Sequence, residues 1–189
     1  MQTTTDYEFR EYVRNNPKSN FVMFTHMDRK KAWQPDFLIR KFLGLKYKVP
    51  SRETFSHCGS LWLDECDNRI YYWHQTYPYF RKDKFSTRRY NVIFEIPNEY
   101  AVEYARDFCR FEHENKRGYG IATLISFAFT LWFTWFSNPI TAGKVCSSSV
   151  AASYPLYIRG NPHDVDPHIA YMELEKRGFK QFLIDNTNE

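Results

Sequence analysis

Continuous and alternating apolar positions divide the chain into strand-like and helix-like segments. "FVMFTHM" at 21–27 is a short apolar, aromatic run that fits a buried strand. "TFSHCGSLWLD" at 54–64 reads as a strand, "ECDN" at 65–68 as a turn and "RIYYWHQTY" at 69–77 as the returning strand of a hairpin. "YNVIFEIP" at 90–97 is another strand, and the charged aromatic segment 77–89 between them reads as a loop. A last strand is predicted in "FKQFLI" at 179–184.

Helical patterns alternate with these runs. Residues 5–15 form a first helix, with Thr5 as cap and Glu8 completing a capping box. "PDFLIRKFLG" at 35–44 carries an apolar helical face that stops near Gly44. Asn98 caps a long helix running towards Gly118, with Ala101, Tyr104, Ala105, Phe108 and Cys109 on one stripe. "CSSSVAAS" forms a short helix closed at Tyr154–Pro155. "DPHIAYMELEKRG" at 166–178 has Asp as cap, Pro at the first helical position and Gly after the end. Strands and helices interleave without repeats or a dividing linker. This predicts an α+β fold with a small antiparallel sheet packed against helices, in one domain over 1–189 with residues 1–19 as an N-terminal helical extension.

Composition narrows the picture. Aromatic residues make up 19% of the chain, which argues against disorder. The net charge of +4 comes from 26 basic and 22 acidic residues that are interspersed, so charge makes no case for nucleic acid. The N-terminus lacks a basic segment followed by an apolar one, so no secretory signal is read. Cysteines 58, 66, 109 and 146 have no CxxC spacing, and reduced thiols in a cytoplasmic setting are the simplest reading. No metal or organic cofactor is called for. Gly118 to Gly143 has no charge, and its apolar core "IATLISFAFTLWFTWF" at 121–136 is 16 residues, short of the ~20 that span a bilayer. It reads as a buried helix, with contact to a membrane or an acyl chain as the alternative.

Candidate chemistry centres on Cys146. At a helix N-terminus, unpaired N–H groups and a partial positive charge favour the thiolate and can later hold an oxyanion. Ser147, Ser148 and Ser149 suit the first turn, and Ser147 is a candidate cleft residue. A thiol nucleophile also needs a base and a group that orients it. His57 and His74 lie on the two strands of the hairpin, where they can share a face and hydrogen-bond; Gln75 is the orienting residue if the register differs by one. Cys58 should face away from His57, because successive strand residues alternate. His26, His113, His163 and His168 are read as solvated or capping residues.

Taken in order, "FSHCG", "IYYWHQ", "GYGI" and "VCSSSVAAS" resemble the circularly permuted papain-like hydrolases. These are the NlpC-type amidases in which histidine precedes cysteine, including YiiX-like bacterial proteins and the lecithin–retinol acyltransferase branch. Ser56, His57 and Gly59 match the family's Ser-His-x-Gly strand, and Cys146, Ser147 and Val150 its Cys-Ser-x-x-Val helix start. "PDFLIRKF" is similar to the opening Gly-Asp-x-Ile-x-x-Arg segment with Pro35 in place of glycine, and "NPHDVDPHIAY" to the proline-marked C-terminal segment. The interval of 17 residues from His57 to His74 is longer than the family pattern. The resemblance covers roughly residues 20–178 and points to a phage or viral member acting in the host cytoplasm. It implies Cys146 as nucleophile, His57 as base, His74 as orienting residue, and Tyr119 near the cleft as an oxyanion donor.

The expected function is therefore a cysteine-dependent hydrolase of an amide, or an ester, that proceeds through an acyl-enzyme. Two alternatives stand beside it. A lipid-directed thiol acyltransferase is motivated by 121–136. A non-catalytic protein that binds a host factor is motivated by the aromatic and basic segment 77–90. The expected partners are a peptide, amide or acyl substrate, with lipid or a host protein under the alternatives and no nucleic acid.

Overall fold

The computed structural model describes residues 1–25, 41, 43–49, 54–76, 78–87, 90–118 and 145–185. Seven strands form one sheet: β1 (Gln2–Thr3), β2 (Asn20–Thr25), β3 (His57–Asp64), β4 (Arg69–Gln75), β5 (Phe80–Lys84), β6 (Tyr90–Ile96) and β7 (Gln181–Asp185). Their order across the sheet is β1-β7-β6-β2-β3-β4-β5. The β1–β7 pair is parallel and every other pair is antiparallel. The helices whose full extent falls among the described residues are α1 (Asp6–Asn15), α2 (Glu99–Glu114), α3 (Cys146–Ser153) and α4 (Pro167–Glu175), with a 3₁₀ turn at Pro162–Asp164. The fold class is α+β.

Strand alternation sorts the core into two layers. Phe21, Met23, Leu61, Leu63, Ile93, Phe182 and Ile184 face α1, which buries Phe9 and Val13 against them. Burial of two such side chains stabilises the contact by roughly 1.5–3 kcal/mol each. Val22, Phe24, Cys58, Val92, Phe94 and Ile96 face the opposite way, into a core shared with α2, α3 and α4 through Ala105, Cys146, Val150 and Ala170. The first nineteen residues thus supply an edge strand and a covering helix. Thr5 accepts from the Glu8 N–H at 3.2 Å and the Glu8 carboxylate accepts from the Thr5 N–H at 2.8 Å, the capping box read from the sequence.

The sheet is larger than the hairpin and its neighbours suggested, for two reasons. Segment 77–89 was expected to be a loop, yet Phe80–Lys84 pairs with β4 as an edge strand. Its sequence "FRKDK" hides the alternation, and edge strands accept such charge because it discourages pairing with other chains. Gln2–Thr3 is too short to show any period. On α2 the expected stripe is displaced: Ala101, Val102, Ala105, Cys109 and Glu112 are buried, whereas Tyr104 is exposed. At 100° per residue Tyr104 falls outside the arc those five occupy.

Among the described residues no helix is long and apolar enough to cross a membrane. The uncharged segment 121–136, and most of the helix expected at 35–44, lie outside the described residues; residues 43–47 are helical.

α3 is pinned at both ends. At its start, Ser148 Oγ accepts from the Val145 N–H at 2.8 Å and donates to the Val145 carbonyl at 3.0 Å. At its end, fully buried Tyr154 takes a hydrogen bond from Asn20 Nδ2 at 3.2 Å, and Asn20 Oδ1 accepts from Arg106 at 3.1 Å. Val145, not a serine, occupies the cap position, so the first-turn N–H groups meet no capping side chain from that residue.

Candidate active site

β3 and β4 bring His57 and His74 onto one face, together with Tyr72 and Gly59. Pairing of Ser60 with Trp73 and Leu61 with Tyr72 sets this register. His57 Nε2 lies 2.6 Å from His74 Nδ1, and the two rings meet edge to face at 4.8 Å. The Tyr72 ring stacks on His74 at 4.5 Å. Gly59 is what admits this layer. A Cβ there would stand 2.6 Å from the Trp73 carbonyl oxygen, 2.7 Å from His74 Cβ and 2.9 Å from the Tyr72 ring. The glycine of the Ser-His-x-Gly segment thus has a steric reason that needs no unusual backbone conformation.

Cys146 begins α3, with its sulfur 3.9 Å from the Ser56 carbonyl oxygen, one residue before β3. His57 and Cys58 both act electrostatically on this sulfur. Cys58 projects from the other face of β3 into the helical core, as alternation requires, and its thiol meets that of Cys146 there. The start of β3 is therefore flanked by both partners of the sulfur. The adjacent Cys58 thiol holds the Cys146 thiol well below its ordinary range; the charge of His57 adds to this, and burial opposes it. Burial pushes the Cys58 thiol up, and the adjacent Cys146 raises it further. Of the two sulfurs, Cys146 is the one favoured as thiolate.

His74 is buried, and this holds its pKa down at about 4, although Asp83 acts in the opposite direction. It is a neutral imidazole at neutral pH. His74 Nε2 lies 2.9 Å from Asp83 Oδ2 on β5. Asp83 was not among the residues singled out from the sequence, because its segment read as a loop. Recognising "FRKDK" as a strand would have placed Asp83 opposite Tyr72 and on the face of His74. Gln75, the alternative orienting residue, is turned elsewhere: its Nε2 donates to the Arg117 carbonyl at 3.1 Å. Of the two, His74 is in contact with His57.

Ser147 follows Cys146 in the chain and the Ser56 carbonyl lies against its sulfur; the Oγ of each serine is buried without a hydrogen-bond partner. These hydroxyls, with the free N–H groups of the first turn of α3, are donors available to a developing negative oxygen. Tyr119 lies outside the described residues, as does His26. Among the other histidines, His168 departs from the solvated reading. It is buried with its ring 4.4 Å from that of Tyr47, because Asp166 ties the segment 43–47 onto α4. Asp166 Oδ2 accepts from Tyr47 Oη at 2.6 Å and Lys46 Nζ at 3.0 Å, while its Oδ1 caps α4. Cys66 is exposed in its turn and Cys109 is buried on α2; none of the four cysteines is in a disulfide. Among the described residues no group of three or more His, Cys, Asp or Glu side chains is placed to hold a metal ion.

An activated sulfur at a helix start, an imidazole against it and a second imidazole behind the first are the components of nucleophilic acyl transfer. No family model, no curated protein and no solved structure matches this chain.

Proposed function

We propose that the protein is a cysteine-dependent hydrolase, of permuted papain-like architecture, that cleaves an amide bond or an ester through an acyl-enzyme. The observation that carries this reading is the position of His57: its Nε2 lies 2.6 Å from His74 Nδ1, and its charge acts on the sulfur of Cys146. Cys146 Sγ attacks the substrate carbonyl carbon as its proton passes to His57. The carbonyl electrons move onto oxygen, where N–H groups of the first turn of α3 and the Ser147 hydroxyl receive the charge. Collapse of this intermediate expels the amine, which takes the proton from His57. Water, deprotonated by His57, then releases the acid and restores the thiol. His74 holds the imidazole in place throughout, the orienting role of the third member of such triads.

Iodoacetamide labelling followed by peptide mapping tests the reading. Cys146 is expected to react selectively and quickly at neutral pH and to lose that reactivity in His57→Ala. Equal labelling of all four cysteines, or rapid labelling of Cys146 that survives the loss of His57, counts against it.

A further inference from the structure

We propose that Asp83 fixes the direction of the hydrogen-bond relay, so that His57 presents a lone pair, rather than a hydrogen, to Cys146 from Nδ1. Asp83 is then a positioning residue, and the inference rests on the hydrolase reading above.

The argument runs inward from the sheet edge. An ionised carboxylate only accepts hydrogen bonds. With Asp83 Oδ2 at 2.9 Å, His74 Nε2 must carry a hydrogen. His74 is neutral, so its other nitrogen, Nδ1, bears a lone pair. That lone pair faces His57 Nε2 at 2.6 Å, and His57 Nε2 therefore donates. Neutral His57 has its remaining lone pair on Nδ1, the nitrogen left for the sulfur of Cys146. Reversing the relay would put a hydrogen on His57 Nδ1, and the base could not take the thiol proton. Once His57 is protonated it needs an acceptor at both nitrogens. The thiolate supplies one and His74 Nδ1 the other, but only while His74 keeps its hydrogen towards Asp83.

Among the described residues, His57 acts on Cys146 and meets His74 and Tyr72. His74 meets His57, Tyr72 and Asp83, with Arg81 opposite it across the β4–β5 pair. Arg81 lies 5.7 Å from the Tyr79 ring. The Cys58 thiol acts on Cys146 from the far side of β3.

Two effects of replacing Asp83 have opposite signs, which makes the relay separable from simple charge. Removing a negative charge, or installing a positive one, favours a nearby thiolate by Coulomb attraction. Losing the relay disfavours it, because the imidazolium partner loses its acceptor. Asp83→Lys supplies donors only and reverses the relay; Asp83→Glu and Asp83→Asn each keep an acceptor oxygen. Asp83 is half-exposed on an edge strand, where substitution leaves the core untouched.

The test is the pH dependence of iodoacetamide alkylation at Cys146, read by peptide mapping. It is paired with ¹⁵N imidazole spectra of His74 in the full-length protein. The midpoint is expected to rise by about one unit in Asp83→Ala and Asp83→Lys, about a tenfold loss of thiolate below the midpoint. Asp83→Glu is expected to restore it. The spectra should show the His74 hydrogen on Nε2 in the natural protein and on Nδ1 in Asp83→Lys. A midpoint that falls or stays in place in Asp83→Lys, or a His74 hydrogen already on Nδ1 in the natural protein, overturns the inference. The spectra decide it even if Cys146 labels no faster than the other cysteines, a result that would instead remove the hydrolase reading.

Discussion

Gly59 makes room for His74: a Cβ on the first would stand 2.7 Å from the Cβ of the second, with the Trp73 carbonyl nearer still at 2.6 Å. No rotamer change relieves a clash between backbone and Cβ atoms. Gly59→Ala is therefore expected to push β4 away from β3 and open the hydrogen bond between His57 and His74. Overpacking of this kind costs about 1–3 kcal/mol. Denaturant unfolding should register the loss, and Cys146 alkylation should slow with it. An alanine variant of unchanged stability and reactivity would contradict the steric account.

Cys58 is expected to matter through its hydrogen, not its reactivity. Its thiol is the foremost cause of the depressed pKa of Cys146. Cys58→Ala should raise the alkylation midpoint of Cys146 by about one unit, whereas Cys58→Ser retains an O–H donor and should leave it nearly unchanged. Equal midpoints in both variants would show that His57 alone polarises the sulfur.

Burial of His74 sets an acid limit on stability. Its folded pKa of about 4 lies below the ordinary histidine value of 6.5, so the unfolded chain takes up the proton first. Stability from this group is complete above the unfolded value and declines as pH falls from 6.5 towards 4, by about 3 kcal/mol in total. Urea unfolding at a series of pH values checks this. In His74→Phe the same component of the acid dependence should vanish. A slope identical to that of the natural protein would place the dependence on other groups.

Asp166 joins a helix cap to a distant tether. Its Oδ1 accepts from the N–H groups of His168 and Ile169 at 3.0 and 2.9 Å, and its Oδ2 from Tyr47 and Lys46. Asp166→Ala is expected to cost about 2–3 kcal/mol, the lost cap contributing about 1 kcal/mol and the stranded Tyr47 hydroxyl most of the rest. Asp166→Asn keeps the cap acceptor and should cost less. Thermal unfolding of the two variants distinguishes them, and equal costs would assign the whole effect to charge.

Much of this fold is local and could be read along the chain. The capping box of Thr5 and Glu8, Asn98 before α2, and Asp166 followed by Pro167 before α4 are satisfied within three or four residues, so short-range rules predict them. The strand periods of 54–64 and 69–77 placed His57 and His74 on one face, since a hairpin turn fixes register nearby. A helix starting at Cys146 was likewise visible in its serines and small residues.

Other features arise only when distant segments pack. Phe80–Lys84 has no hydrophobic period of its own and becomes a strand because β4 offers it an open edge; Asp83 reaches His74 as a consequence. The meeting of Cys58 with Cys146, 88 positions apart in the sequence, depends on α3 docking across the start of β3. No spacing rule encodes that docking. Most helices and the central strands, with the residue types available for chemistry, were legible along the chain, because those follow from nearest neighbours. Only packing settled that Cys58 acts on the Cys146 sulfur and that Asp83 stands behind the imidazoles, because burial and electrostatic contact are properties of the assembled chain.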